Sequence, residues 1–257
     1  MARNRMPILE ALPVRPKGAT AVASQPLASA GTEARMSAFT TMRPLDFSPA
    51  LQRDDPAGAT RCQELLQSRA GVRAVQWLDE VHGTDVIQAS TETAQSVASA
   101  DAAYTSEPGI GLAIRTADCA PLVLLARRKS SDAIAAVHCG WRGTVAGIVE
   151  NAVAALATPP DRVSAWIGPT ICRNCYEVDA PVRDQLSEEE RAAVLTNGRD
   201  ADHWWMDLLA LVSHRLEAAG VRNIASAGLC TAHDRGFYSH RKRSDSGRMA
   251  TVVWLPE

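Results

Sequence analysis

Three side chains suited to a soft or borderline metal stand at the ends of strand-like segments: His82, Cys119 and His138. Each has a turn residue close by, namely Gly83, Pro121 and Gly140. Two imidazoles and a thiolate suit zinc or copper, and three protein ligands leave one coordination position open for water, the catalytic arrangement. Spacing alone does not decide between one shared site and three separate side chains. A loop histidine bonded to backbone, an inert core thiol and a satisfied strand-end histidine fit the same residues. Asp118, beside Cys119, is a candidate proton acceptor or a turn-capping carboxylate. Arg142 lies in a glycine-flanked turn before a helix, a place suited to an anion. Arg43 and the cluster Arg241, Lys242, Arg243 and Arg248 are further candidates for binding phosphate or carboxylate, or form a solvated loop.

The remaining cysteines point elsewhere. Cys172 and Cys175 form a CxxC with no second CxxC and no thioredoxin-like context, and are expected to be incidental thiols in a turn after Gly168-Pro169. Cys139, adjacent to His138 and on the opposite face of its strand, is expected to pack in the core.

The elements that must position these groups are read from apolar patterning. The central stretch is a buried strand over Ala133 to Val137 that delivers His138, turns on Gly140 and Gly143, and starts a helix with Val145, Ile148, Val149, Ala152, Val153 and Leu156 on one stripe. Strands are expected near Met36 to Leu45, Val72 to Leu78, Val86–Ile87, Leu112 to Ala117, Leu122 to Leu125, Val163 to Ile167, Asn223 to Leu229 and Met249 to Leu255. Helices are expected from Asp55 to Gln67, Pro181 to Thr196 and Asp207 to Gly220. Ser90 to Ala100 and Ser239 to Arg248 are expected as loops, and Trp204-Trp205 as packing for the helix start. Strands outnumber helices and connections are short, so the fold class is α+β with mixed, largely antiparallel sheets.

Of 257 residues, 46% are hydrophobic, enough for one large core, and the formal net charge of −2 gives no sign of a nucleic-acid or anionic-membrane partner. No apolar run approaches the ~20 residues of a membrane span. Six scattered cysteines in a chain of this length, with no signal-peptide core, make a cytoplasmic setting the default. Residues 1–35 are rich in Ala, Arg, Pro, Ser and Thr and are expected to be a disordered tail, followed by a single catalytic domain over 36–257.

Glu80-Val81-His82-Gly83, Thr116-Ala117-Asp118-Cys119-Ala120-Pro121, Val137-His138-Cys139-Gly140-Trp141-Arg142-Gly143 and Trp166-Ile167-Gly168-Pro169 resemble the laccase-domain family. That family is also called multicopper polyphenol oxidase, YfiH-type purine nucleoside phosphorylase and peptidoglycan editing factor. Cys175-Tyr176-Glu177-Val178, Asp207-Leu208, Cys230-Thr231, Phe237-Tyr238-Ser239-His240-Arg241 and Gly247-Arg248-Met249-Ala250 extend the resemblance, in family order, from about Phe39 to the end of the chain.

The resemblance implies a layered α/β/β/α domain and a metal, Zn²⁺ with Cu²⁺ in some relatives, held by His82, Cys119 and His138. It implies phosphorolysis of adenosine, inosine, guanosine and methylthioadenosine, together with adenosine deamination. The partners would be purine nucleosides and phosphate, with no nucleic acid and no membrane, and the protein a monomer or homodimer. Within that implied chemistry Asp118, Cys119 and Arg142 are the catalytic candidates, and Arg43, Arg142, Arg241 and Arg248 the phosphate-binding ones. The alternatives are a cell-wall precursor editing amidase with Cys119 as nucleophile and His138 as base, a copper-dependent polyphenol oxidase, and a non-catalytic metalloprotein. Glu80 stands where the family usually has Gln, Cys139 where it usually has Ala, and the segment Pro44 to Asp54 is shortened.

Overall fold

The computed structural model describes residues 36–257 and, before them, the backbone of Val22–Ser24; the rest of the expected N-terminal tail lies outside the described residues. In chain order the elements are β1 (Val22–Ser24), β2 (Ser37–Thr41), α1 (Pro49–Asp54), α2 (Pro56–Ala70), β3 (Ala74–Asp79), β4 (Val86–Gln88), β5 (Ala98–Ser99), β6 (Ala102–Thr105), β7 (Ile110–Thr116), β8 (Ala120–Ala126) and β9 (Ala133–Cys139). There follow α3 (Trp141–Ala146), α4 (Ile148–Ala155), β10 (Val163–Ile167), β11 (Glu177–Asp179), α5 (Ala180–Arg183), α6 (Glu188–Val194), β12 (Leu195–Asn197), β13 (His203–Met206), α7 (Leu208–Ala218), β14 (Asn223–Ser226), α8 (His240–Arg243) and β15 (Met249–Trp254).

Two six-stranded sheets pack face to face. The first runs β1-β2-β15-β7-β3-β5 and the second β14-β10-β8-β9-β6-β4. Both are mixed: antiparallel pairs dominate, with parallel pairs β3/β7, β3/β5, β4/β6 and β10/β14. Between the sheets, Leu112, Ile114 and Val253 from the first meet Val123, Leu125, Ile134, Ala136 and Trp166 from the second. Alternate residues of the same strands, Leu122, Leu124, Ala135 and Val137, face α4 and α7 through Ile148, Val149, Leu211 and Leu216. On the far side of the first sheet, Ala113, Ala250 and Val252 pack on Leu66 and Ala70 of α2. β8 and β9 are buried on both faces, which is why they read as unbroken apolar runs rather than alternating ones. The layers are therefore α/β/β/α in one α+β domain, as the fold class expected from sequence. At the middle of the first sheet the Thr40 and Thr251 hydroxyls bond at 2.8 Å, joining β2 to β15 across 211 positions.

Several elements differ from the sequence expectation for identifiable reasons. The helix after Trp141 is divided into α3 and α4 at Gly147, whose φ of 109° no regular helix adopts. The helix expected over Pro181 to Thr196 is two short helices, because Ser187 caps α6 reciprocally with Glu190 and forces a new start. Trp204 and Trp205 lie in β13, the centre of a three-stranded sheet β11-β13-β12. The loop expected over Ser90 to Ala100 ends in β5, and the basic loop from Ser239 contains the single turn α8.

Candidate functional site

His82, Cys119 and His138 come together: their donor atoms all lie within 4.8 Å of one another. Three connections make this happen. His138 is the penultimate residue of β9 and buried. Cys119 ends the tight β7–β8 turn, in which Asp118 has φ 99°. His82 sits in the loop after β3 with φ 61°. Non-glycine residues in left-handed backbone are costly and persist where the surroundings fix them; here one is a member of the cluster and the other adjoins Cys119.

One carboxylate fixes much of this geometry. Asp101, fully buried just before β6, accepts the Nδ1 proton of His138 at 2.8 Å and the backbone N–H groups of His82 at 2.9 Å, Gly83 at 2.6 Å and Val81 at 3.2 Å. Burial alone would push the Asp101 carboxyl up, but the His138 bond and these amides hold it below the usual carboxylate range. The two imidazoles meet edge to face with centroids 4.8 Å apart, and Cys119 Sγ lies 3.8 Å from His82 Nε2. A tetrahedral zinc with ordinary bond lengths needs N···S separations of about 3.6 Å, so the donor set fits such an ion.

The glycines after His138 serve close approach. A Cβ on Gly140 would sit 2.6 Å from His82 Cδ2 and 3.3 Å from Cys119 Sγ, and one on Gly143 would sit 2.7 Å from the Gly83 carbonyl oxygen. Burial pushes the Cys119 thiol up, yet the imidazoles of His138 and His82 outweigh it and hold the thiol at about 6. Cys119 is half-buried, and its Sγ lies 3.8 Å from His82 Nε2 and within 4.8 Å of the His138 donor, so both imidazoles act on it at close range.

Asp118 is held on all sides. Its Oδ1 accepts from the Thr231 hydroxyl at 2.6 Å and its Oδ2 from the Arg241 backbone N–H at 2.7 Å. Its carbonyl accepts from Thr170 Oγ1 at 2.8 Å and the Ile171 N–H at 3.0 Å. Cys139 packs in the core on the opposite face from His138, as its strand position requires. Glu80 is bound by Arg115, whose backbone N–H donates at 2.7 Å and whose Nε donates at 3.2 Å, so its added charge is offset at once.

The candidate arginines part company. Arg142 stacks over Trp141 at 4.6 Å, is exposed, and has no carboxylate within ion-pair distance among the described residues. Arg241 lies over the Tyr176 ring at 5.0 Å and donates to the Glu177 carbonyl at 2.6 Å. Arg43 is paired with Asp245 at 3.4 Å and lies over Tyr238. Arg248 is committed to its own loop, donating to the carbonyls of Asp245, Ser246 and Gly247. A cleft of about 250 Å³ beside α3 is lined by Trp141, Tyr176, Glu177, Arg199, His203 and Arg241. Burial pushes the Tyr176 hydroxyl up in pKa, and the charges of Cys119, Arg241, Arg142 and Asp118 all act on it, which joins the cleft electrostatically to the ligand cluster.

Asp101 and the cleft residues Arg199 and His203 are not marked by the sequence pattern, whereas Tyr176 lies in the Cys175-Tyr176-Glu177-Val178 motif without a role assigned to it there. Asp101 follows a run of small residues and carries no motif of its own. A second group also converges: the donor atoms of Cys172, Cys175, Cys230 and His233 lie within 4.8 Å of one another. The CxxC is thus not isolated, contrary to its reading as incidental thiols. The signal lay in pairing Cys172-x-x-Cys175 with Cys230-x-x-His233 rather than searching for a second CxxC.

Comparison with known proteins places these features in context. Residues 41–256 match the family model described as multi-copper polyphenol oxidoreductase laccase. A Xylella fastidiosa protein named purine nucleoside phosphorylase is 40% identical over 79% of this chain and 80% of its own length. An Escherichia coli protein named purine nucleoside phosphorylase YfiH is 37% identical over 70% of this chain and 73% of its own. The crystal structure of a Neisseria meningitidis protein of the DUF152 family superposes with a TM-score of 0.81 at 30% identity, covering 88% of this chain and 96% of that one.

Proposed function

The chain belongs to the multi-copper polyphenol oxidoreductase laccase family, and from that premise we propose that it is a zinc-dependent purine nucleoside phosphorylase. Its substrates are adenosine, inosine, guanosine and methylthioadenosine, and adenosine deamination is a second activity of the same site. The observation that carries this reading is the convergence of two imidazoles and one thiol within 4.8 Å, beside a cleft with Trp141 and Tyr176 on its wall and Arg241 along its rim. The family description speaks of several coppers, which favours a different donor set. All six histidines fall within the described residues, and His82 and His138 are the two at this cluster. A single zinc-type site suits that donor count better than a multicopper cluster.

A zinc ion there would supply a Lewis acid and a water of lowered pKa. The chain's own groups do the rest. Asp101 keeps the His138 proton on Nδ1, so Nε2 offers its lone pair. Tyr176 and Trp141 offer aromatic faces to a purine. Arg142 and Arg241 hold phosphate, whose oxygen bonds to ribose C1′ as the C1′–N9 bond breaks and its electron pair leaves with the base. The products are free base and ribose 1-phosphate. Asp118, with both carboxylate oxygens already accepting hydrogen bonds, serves as a positioning residue for the Cys119 turn.

The test is incubation of the purified chain with inosine in the presence and absence of phosphate. Hypoxanthine and ribose 1-phosphate in equal amounts, formed with phosphate alone, are expected, and Arg241→Ala should raise the KM for phosphate about tenfold or more. Base release that ignores phosphate, or none at all, would refute phosphorolysis. One observation favours a second reading. A thiol held at about 6 beside His138 also resembles the nucleophile of a cysteine amidase. Loss of one equivalent of zinc in Cys119→Ala, relative to the wild type, favours the metal reading over the amidase.

A further inference from the structure

We propose that Cys172, Cys175, Cys230 and His233 form a second metal site, a closed tetrahedral zinc centre with a structural role. Four donors suited to zinc, three thiols and one imidazole, lie within 4.8 Å of one another. All three thiols are free. Cys175 Sγ is 3.1 Å from His233 Nε2, and Cys172 Sγ is 3.9 Å from His233 Nδ1.

The backbone shapes both halves for this. Cys172 and Cys175 bracket a 3-10 turn in which the Cys175 N–H donates to the Cys172 carbonyl at 3.0 Å. Cys230 and His233 bracket a second turn, closed by the Asp234 N–H on the Cys230 carbonyl at 3.0 Å. The Cys172 N–H donates to Cys230 Sγ at 3.3 Å, an outer hydrogen bond of the kind that orients a ligating sulfur. A two-residue gap within each pair, with the pairs far apart in sequence, is the arrangement of structural zinc sites. Four protein ligands fill the tetrahedron, whereas the His82 cluster supplies three and leaves a position open.

The topology explains how the halves meet. β10 and β14 are parallel neighbours, so the loops that follow them leave the sheet at the same edge. Thr170 and Cys230 pair there as an isolated bridge, with the Thr231 N–H on the Thr170 carbonyl at 3.2 Å. Thr170 and Thr231 are the residues whose hydroxyls hold Asp118. A zinc ion bound by the two turns would lock this bridge, and through Asp118 the turn that presents Cys119. His233 is exposed and the three cysteines are half-buried, so the ion can enter from solvent.

The full chain, purified under reducing conditions without chelator, is to be assayed for zinc by mass spectrometry of the metal. Two equivalents are expected in the wild type, one in Cys119→Ala and one in the double variant Cys175→Ser, His233→Ala. Cobalt added to metal-stripped Cys119→Ala should give the intense thiolate charge-transfer and ligand-field bands of a tetrahedral thiolate site. This arm stands even if the double variant fails to fold, because Cys119→Ala leaves the four ligands intact. The double variant, where it folds, should melt several degrees lower. A wild type with one equivalent that Cys119→Ala removes entirely would overturn the proposal. So would iron in place of zinc, or a non-reduced mass showing a disulfide among Cys172, Cys175 and Cys230. The readout is metal content, so loss of the phosphorylase reading would leave it unaffected.

Discussion

The side chain of Asp101 bonds His138 while its other hydrogen bonds seize the backbone of the His82 loop, so one buried carboxylate sets the spacing of two imidazoles that lie 56 positions apart in sequence. A group in that position governs ring orientation and ligand basicity without touching the ion.

Asp101→Asn should therefore weaken metal binding about 10–100-fold, the usual effect of removing a partner of a ligating histidine. Competition with a chromophoric zinc chelator measures this directly. Unchanged affinity with a native melting curve would show that Asp101 serves only to shape the loop.

Gly140→Ala tests the close approach of backbone to ligand. The new Cβ would meet His82 Cδ2 at 2.6 Å, and His82 must move to accommodate it. Forced repacking of this kind costs about 1–3 kcal/mol. The His82 proton resonances should shift and the zinc held by the His82 cluster should be lost; unshifted resonances with full zinc content would show that the backbone absorbs the methyl group.

Thr231→Val removes the hydroxyl that donates to Asp118 Oδ1 in a buried setting. An unpaired buried acceptor costs roughly 1–3 kcal/mol, more when charged. Denaturant unfolding should register this loss, and Thr231→Ser should restore most of it. Loss in Thr231→Ser with none in Thr231→Val would assign the effect to packing of the methyl group.

Glu190 gives a pH test far from the ligand cluster. Burial pushes its carboxyl up, but the Ser187 amide at 2.8 Å and Arg215 at 2.6 Å outweigh it and hold it below its ordinary value. A depressed folded-state pKa contributes stability above the unfolded-state value, and that stability is lost as pH falls through the folded-state value. The melting temperature of Glu190→Gln should therefore lie below that of the wild type at neutral pH, and the two should converge below about pH 4. A constant gap across that range would mean that the charge is not the cause.

The sequence made much of this legible where local pattern and tertiary demand agree. β8 and β9 read as buried strands because both faces are covered, and the ends of β7–β9 place Cys119 and His138 where strand-end ligands belong. Where one residue overrides a pattern, legibility fails: Gly147 breaks an otherwise continuous helical stripe, and Ser187 with Glu190 starts a helix inside another expected one. Trp204 and Trp205 take strand conformation because β11 and β12 are there to pair with them, a tertiary fact. Asp101 was hidden for the same reason, since its partners arrive from β9 and from the loop after β3. The convergence of Cys172, Cys175, Cys230 and His233 rests on the parallel pairing of β10 with β14, which spacing within either segment does not encode.

The seating of β15 between β2 and β7 carries a consequence for biogenesis. During vectorial synthesis β2 emerges early, yet its pairing edge must wait more than two hundred residues for its mate, while β8 and β9 zip across one short hairpin. The β8–β9 hairpin is therefore complete in the chain long before β15, and until β15 is synthesised the β2 edge has no mate on that side.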